Sequence, residues 1–228
     1  MSNVMDLSKS YEFFNPDEEK ANIHIVGCGS VGSTVAENLA RCGVENFHLW
    51  DFDSVEAHNI VNQMFTQEQV GMPKVEALRD ILVSINPAIA DKIKLHPEGW
   101  DGNKMMSGII VLAVDSIELR NEIVDKVWNS PFVKLVLDFR TLLTSAQHYA
   151  ADWNDLKQKE ALKASMAFTH EEAAAETPVS ACGITLGVAT TVRLISALGV
   201  NNYINWVKGQ KLWKFCQIDG FAGDLMCF

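Results

Sequence analysis

A glycine-rich turn near the start of the chain offers the first recognisable chemistry. Residues 27–32 read GCGSVG, which fits a GxGxxG pattern between an apolar run and a segment with helical apolar spacing. Glycine lets backbone N–H groups approach a phosphate closely, and the N-terminal end of a helix adds partial positive charge. The residues expected to contact phosphate are Gly27, Gly29, Ser30 and Gly32.

A carboxylate follows the second predicted strand, at residues 46–50. Asp51 stands at the end of that strand, where an acidic side chain can accept hydrogen bonds from both hydroxyls of a ribose. The turn and Asp51 together predict a nucleotide-binding protein. They fit ATP, NAD and FAD equally well.

Four further motifs help to decide which of these nucleotides the chain binds. The chain reads DFDSV at 51–55, HNIVNQ at 58–63, GMPKVE at 71–76 and DSIELRN at 115–121. In this order they resemble the D-x-D, N-L-x-R-Q, G-x-x-K and D-N-x-x-x-R segments of the ThiF/MoeB family of ubiquitin-activating-like enzymes. Residues 22–140 carry most of the resemblance, and residues 182–198 resemble the family's later helix, which is rich in small residues.

The resemblance implies an adenylyltransferase that uses ATP and Mg²⁺. Such enzymes join the C-terminal carboxylate of a small ubiquitin-like protein, a sulfur-carrier protein or a peptide to the α-phosphorus of ATP and displace pyrophosphate. Because the substrate supplies the nucleophile, the enzyme must align the reactants and neutralise charge. The family also implies a homodimer.

The resemblance assigns roles to single residues. Asp51 would hold the ribose, Lys74 the phosphates, and Asn59 and Gln63 would line the triphosphate. Asp115 would orient Mg²⁺, which prefers oxygen ligands. Asp53 shares the D-x-D motif and is grouped with the cofactor-binding residues.

Simpler roles compete for three of these positions. Lys74 at a helix start is also explained as a solvated lysine, and Asp115 as the cap of a helix that begins near residue 117. Arg120 is expected to anchor the loop or helix behind Asp115, or to be an ordinary exposed arginine. His58 is interpreted as a turn residue.

Two cationic positions of the family pattern are missing. Asn62 stands where the N-L-x-R-Q motif has arginine, which removes a bidentate phosphate donor. No arginine precedes Arg41, although many relatives lend an N-terminal arginine to the neighbouring subunit. Lys9, Lys20 or Arg140 are candidate replacements. These losses leave open a weakened or catalytically silent member that serves as a nucleotide-binding scaffold.

The cysteines form no CxxC pair, so we expect no structural zinc. Cys182 precedes the last long predicted helix by two residues, where the helix dipole lowers the pKa of a thiol. Some relatives use a cysteine in this region as an acyl or sulfur acceptor. The competing and favoured interpretation is a small packed residue at the helix entrance. Cys28, inside the glycine turn, is expected to face the core.

The bulk composition narrows the class of protein. The chain has 228 residues, of which 48% are hydrophobic, and a formal net charge of −10. This charge opposes binding to nucleic acid or anionic lipid, and no apolar run is long enough to span a membrane. With five cysteines and no recognisable signal peptide, the expected location is the cytoplasm.

The order of elements predicts an α/β fold of the Rossmann type. Strands are expected at 22–26, 46–50, 93–95, 109–114 and 133–137, with helices between them, including one at 117–127. This alternation predicts a doubly wound, mostly parallel sheet with antiparallel C-terminal additions: 141–151, then two short strands around 219–220. A long helix at 184–207, broken near Gly199, is expected before the tail.

We expect one domain at 22–228, preceded by an arm at 1–21 and containing an acid-rich crossover segment at 152–180. The main rival function is an NAD-dependent oxidoreductase. It explains the glycine turn and Asp51 but gives no reason for Asn59, Gln63 and Lys74.

Overall fold

The structure, a computed structural model, describes residues 5–169, 172, 179 and 186–228. One eight-stranded sheet has the order β3-β2-β1-β4-β5-β6-β7-β8. Its strands are β1 (Ile23–Val26), β2 (Phe47–Trp50), β3 (Ile93–His96), β4 (Gly108–Leu112), β5 (Val133–Thr141), β6 (Ser145–Asp152), β7 (Phe215–Asp219) and β8 (Asp224–Cys227). Its long helices are α1 (Ser30–Arg41), α2 (Lys74–Ile85), α3 (Ile117–Val127), α4 (Leu156–Ala164) and α5 (Ala189–Val207).

The first five strands are parallel and the last three are antiparallel additions. β1 pairs with β2 on one side and with β4 on the other, so the strand order reverses direction beside β1. Ligands of open α/β sheets bind in the crevice at the carboxyl ends of the strands next to such a switch point. This strand order therefore places the glycine turn at the carboxyl edge of the sheet, beside the switch point.

Helices cover the two faces of the sheet unequally. One core combines apolar residues of α1, α2 and α5 with one face of the strands. A second core, on the opposite face, includes Trp50 and Trp153 and is covered by α3 and α4. β4 is buried along its whole length, as expected of a central strand with helices on both sides.

Most predicted elements are found within one or two residues of their expected ends. The helix at 117–127 has the predicted bounds, and 145–152 pairs antiparallel to β5. The expected break at Gly199 is wrong, because α5 runs continuously from 189 to 207. Gly199 serves close packing instead: a Cβ there would overlap the ring of Phe139.

The two remaining predicted segments are the N-terminal arm and the acid-rich segment. The arm contains a 3₁₀ turn at Pro16–Glu18, and Phe14 is buried with its ring centroid 6.1 Å from that of Tyr203. The acid-rich segment 152–180 begins with α4, whereas residues 170–171, 173–178 and 180 lie outside the described residues. In the part of the chain that is described, no helix is both long and apolar enough to cross a membrane.

Candidate nucleotide site

The glycine turn is packed tightly on two sides and open on a third. Gly27 has φ of +90°, and a Cβ on it would lie 2.8 Å from the carbonyl carbon of Ala113. A Cβ on Gly32 would overlap the carbonyl oxygen of Gly27, so α1 can approach the turn only with glycine there. At Gly29, apart from the residue itself and its chain neighbours, no atom of the described residues lies within 4 Å of the Cβ position. This open side, at the N-terminus of α1 and next to Ser30, suits a phosphate group.

The Asp51 carboxylate accepts two backbone hydrogen bonds, one of which ties it to the glycine turn. The N–H of Cys28 donates to Oδ2 at 2.7 Å, and the N–H of Asp53 donates to Oδ1 at 2.9 Å. Burial raises the pKa of the Asp51 carboxyl, while the nearby Lys74 ammonium and these two donors oppose that rise. Each carboxylate oxygen keeps acceptor capacity, as a ribose contact requires.

Lys74 lies at the start of α2 and is only 8% exposed. Its Nζ lies 2.8 Å from Oδ2 of Asp53, whose side chain is half exposed, and its N–H donates to the Asp53 carbonyl at 2.9 Å. A solvated helix-start lysine would not be this buried. The ammonium is therefore held beside Asp51 by a carboxylate that faces solvent.

Asn59 and Gln63 lie on the turn that follows. Asn59 is buried, and its Oδ1 accepts from the N–H of Glu56 at 2.9 Å, which leaves Nδ2 as its available donor. Gln63 has a buried Oε1 without a hydrogen-bond partner among the described residues. A hydrogen bond from the N–H of Met64 to Ser33 Oγ, at 3.3 Å, joins this segment to α1. His58 lies in the 3₁₀ turn Ala57–Val61, as predicted.

Asp115 is exposed in the loop between β4 and α3. It does not cap α3, because the N–H of Leu119 donates instead to Ser116 Oγ at 3.1 Å. The capping role that competed with metal binding is thus filled by the neighbouring serine. No group of three or more His, Cys, Asp or Glu side chains suited to a metal occurs among the described residues. One carboxylate together with substrate phosphates is the usual protein environment of Mg²⁺.

Arg120 anchors the loop that carries Asp115. Its buried guanidinium donates to the carbonyls of Leu112, at 3.3 Å, and Val114, and it pairs with Asp138. Burial, followed by the charge of Arg140, lowers the pKa of Arg120 to about 9. This is the anchoring role predicted from sequence, and the exposed-arginine alternative is wrong.

The guanidinium of Arg140 is paired within the protein and does not offer a free positive charge to the nucleotide site. Its Nε and Nη2 donate to Asp138 Oδ2 at 3.0 and 2.6 Å, and its Nη1 and Nη2 donate to the Ser165 carbonyl and hydroxyl at 2.7 and 2.9 Å. Asp138, fully buried, thereby joins two guanidinium groups. Sequence reasoning missed this role, although a carboxylate inside the apolar run 133–139 was its signal.

Lys20, another candidate cation, lies away from the glycine turn. Lys20 pairs with Asp17 at 3.0 Å, and its carbonyl accepts from Asn46, at the opposite edge of the sheet. A cavity of about 190 Å³ at that edge contains none of the predicted site residues. Cys28 is buried in the core as expected. Cys182 lies outside the described residues.

Comparison with known proteins defines the class. The sequence profile of the ThiF family matches residues 15–226, so this chain belongs to the ThiF family. It is similar to ubiquitin-like modifier-activating enzyme 5 of Caenorhabditis elegans, 43% identical over 74 residues, which are 32% of this chain and 17% of that protein. With the Drosophila willistoni enzyme it shares 39% identity over 92 residues, 40% of this chain and 21% of that one.

Solved structures show the same fold. Escherichia coli MccB in complex with ATP superposes with a TM-score of 0.73 at 18% identity, over 93% of this chain and 65% of that one. PaaA gives a TM-score of 0.71 at 15% identity, over 98% and 68%. The match thus spans about a fifth of the length of the curated relatives and about two thirds of the solved chains. The predicted Rossmann-like fold class is confirmed.

Proposed function

We propose that this chain binds Mg-ATP and adenylates the C-terminal carboxylate of a ubiquitin-like protein, a sulfur-carrier protein or a peptide. The observation that carries the proposal is the open side of the glycine turn at Gly29, flanked by the anchored Asp51 and the buried Lys74. Membership of the ThiF family supports it, as does the fold shared with MccB, which has been solved with ATP and with its peptide MccA.

In this reaction an oxygen of the substrate carboxylate bonds to the α-phosphorus of ATP. The bond from that phosphorus to the bridging oxygen breaks, and pyrophosphate leaves with the electron pair. The protein aligns the two reactants and offsets their negative charge. Asp51 holds the ribose, backbone N–H groups from Gly27 to Ser30 bind phosphate, and Lys74 exchanges its contact with Asp53 for a phosphate oxygen. Asp115 is the residue that would hold Mg²⁺, which supplies charge neutralisation when bound.

The amide side chains contribute short-range hydrogen bonds. The Asn59 Nδ2 donates toward the phosphates. The Gln63 Oε1, which has no hydrogen-bond partner among the described residues, accepts a hydrogen bond from a hydroxyl or amide of the substrates. We further propose a cytoplasmic homodimer whose acid-rich segment 152–180 covers the incoming tail. Whether Cys182 accepts the acyl group or is merely packed is decided by replacing it with alanine in an acyl-transfer assay.

A second candidate function is a nucleotide-binding scaffold of the same family. Two observations favour it: Asn62 replaces the motif arginine, and the donors of Arg140 are largely taken by Asp138 and Ser165. In that case the chain binds Mg-ATP without exchange. Asn62→Arg would then raise the exchange rate, because it restores a bidentate phosphate donor.

The test is carboxylate-dependent exchange of pyrophosphate into ATP. A candidate ubiquitin-like partner is compared with the same partner lacking its last residue, which moves the carboxylate out of reach. Exchange only with the intact partner supports adenylation, whereas Mg-ATP binding without exchange for any partner supports the scaffold. A parallel thermal-shift comparison with NAD identifies the oxidoreductase alternative, because a ligand at a hundredfold its dissociation constant stabilises by about 2.7 kcal/mol.

A further inference from the structure

Two cysteines face each other across the last hairpin of the sheet. β7 and β8 pair antiparallel with Cys216 directly opposite Cys227. Cys216 is fully buried and Cys227 is half-buried on the edge strand. Both are free thiols, and neither belongs to the motifs that make up the nucleotide site.

The hydrogen bonds of the hairpin show which kind of pair this is. Next to the cysteines, the N–H of Phe228 donates to the Phe215 carbonyl at 2.9 Å, which marks 215 and 228 as a hydrogen-bonded pair. Pairs alternate along antiparallel strands, so Cys216 and Cys227 form a non-hydrogen-bonded pair, in which the two side chains are closest. The separation of such a pair, about 4.5 Å between Cα atoms, is within the range of disulfides.

We infer that Cys216 and Cys227 form a redox-active dithiol, which low-molecular-weight disulfides convert reversibly into a cross-strand disulfide. The two thiols already interact: burial raises the pKa of Cys216, and contact with Cys227 raises it further. Cys227 is therefore the sulfur that reacts first, since it is the more accessible and Cys216 is held protonated.

The reaction balances in two exchanges. The Cys227 thiolate attacks the small disulfide, forms a mixed disulfide and releases one small thiolate. Cys216 then loses its proton, and its sulfur attacks Cys227 Sγ and breaks the bond to the small thiol, which leaves. Two protein thiols are oxidised by two electrons and one small disulfide is reduced to two thiols. The second exchange is intramolecular, so the mixed disulfide is short-lived.

The consequence is a locked edge strand. Among the described strands, β7 is the one that pairs with β8, and Leu225, Met226 and Phe228 are exposed. The disulfide closes a short loop around 219–224 and restricts fraying of β8. Amide hydrogen exchange in β8 is expected to slow by about tenfold on oxidation.

The test is treatment of the full chain with oxidised glutathione, alkylation and trypsin digestion. Cleavage after Lys214 releases residues 215–228 with both cysteines in one peptide. We expect this peptide to escape alkylation and to weigh two hydrogens less than the unmodified dithiol peptide. Reduced glutathione should restore its double alkylation, and Cys227→Ser should form no such disulfide. Cys216→Ala should instead accumulate the glutathione adduct on Cys227, and Cys42 provides the internal reference thiol. A lasting adduct on the wild-type peptide, or thiols that oxidise no faster than Cys42, would overturn the inference.

Discussion

Two regions of the sheet treat polar side chains in opposite ways. The parallel half is the carboxyl edge of β1, β2 and β4. The antiparallel half is β5–β8 with α5, since β5 is parallel to β4 but antiparallel to β6. At the carboxyl edge of the parallel half, Asp51 and Asp115 lie in loops that follow β2 and β4, and Lys74 lies at the start of α2. The antiparallel half buries its polar groups: Asp138 binds two arginines, and His148 contacts the Asp138 carbonyl at 3.2 Å and Asn202 at 3.1 Å. The first arrangement leaves donors and acceptors for a ligand, and the second uses them to fix the fold. Reactivity and rigidity are thus separated along one sheet.

The strongest test of this contrast removes the buried carboxylate of the antiparallel half. Asp138→Ala leaves the buried guanidinium of Arg120 and the part-buried one of Arg140 without their shared partner, so we expect a loss of about 3–5 kcal/mol in the free energy of unfolding. Urea denaturation measures it. Asp115→Ala is the control from the open edge and should change stability by less than about 0.5 kcal/mol. Equal effects of the two substitutions would contradict the division between the halves.

A matched pair of glycines separates packing from binding within the turn. Gly32→Ala should destabilise by about 3 kcal/mol, because its methyl group would overlap the Gly27 carbonyl. Gly29→Ala points into open space and should cost less than about 1 kcal/mol of stability. That methyl group occupies the proposed phosphate position, so Mg-ATP affinity should fall by tenfold or more in Gly29→Ala. Unchanged affinity would show that the phosphate lies elsewhere.

Lys74→Met tests the ammonium of the open edge. Losing one charge-assisted hydrogen bond to phosphate, about 1.5–3 kcal/mol, should weaken Mg-ATP binding by roughly 10–100-fold in calorimetric titration. Stability should change little, because the partner carboxylate of Asp53 is half exposed. Lys126→Met, on α3, is the control for a general loss of charge. A weakened affinity in both variants would point to long-range electrostatics instead.

A final test concerns the pH dependence of stability. Burial lowers the pKa of His24 to about 3, and those of His48 and His96, beside it, to about 4. Their folded pKa values lie below the ordinary 6.5, so the folded chain binds fewer protons and stability is retained above about pH 6.5. The urea midpoint should therefore fall as pH decreases from 6.5 toward 4. A His48→Gln/His96→Gln variant should fall less steeply, and an identical slope would exclude these groups.

Sequence reasoning succeeded where the signal was local. The turn at 27–32, Asp51 and the lysine of α2 lie within short motifs, and the predicted helix at 117–127 is bounded by its own cap at Ser116. The antiparallel half depends on contacts distant in sequence. Asn202 and His148 meet only when α5 packs on β6, and no periodicity predicts that encounter. The contact between Gly199 and Phe139 is also distant in sequence. The sequence alone therefore predicts a helix break at Gly199, whereas the glycine makes room for the Phe139 ring.

The central claim is that a nucleotide is held at the carboxyl ends of the parallel strands by Asp51 and the glycine turn. Calorimetric titration of Mg-ATP into the wild-type chain and Asp51→Asn tests it most directly. The account predicts saturable binding to the wild type and at least tenfold weaker binding to the variant. The reason is that the substitution removes the charged carboxylate that accepts hydrogen bonds from the ribose hydroxyls. Equal affinity for the two proteins, or no binding to either, would contradict it.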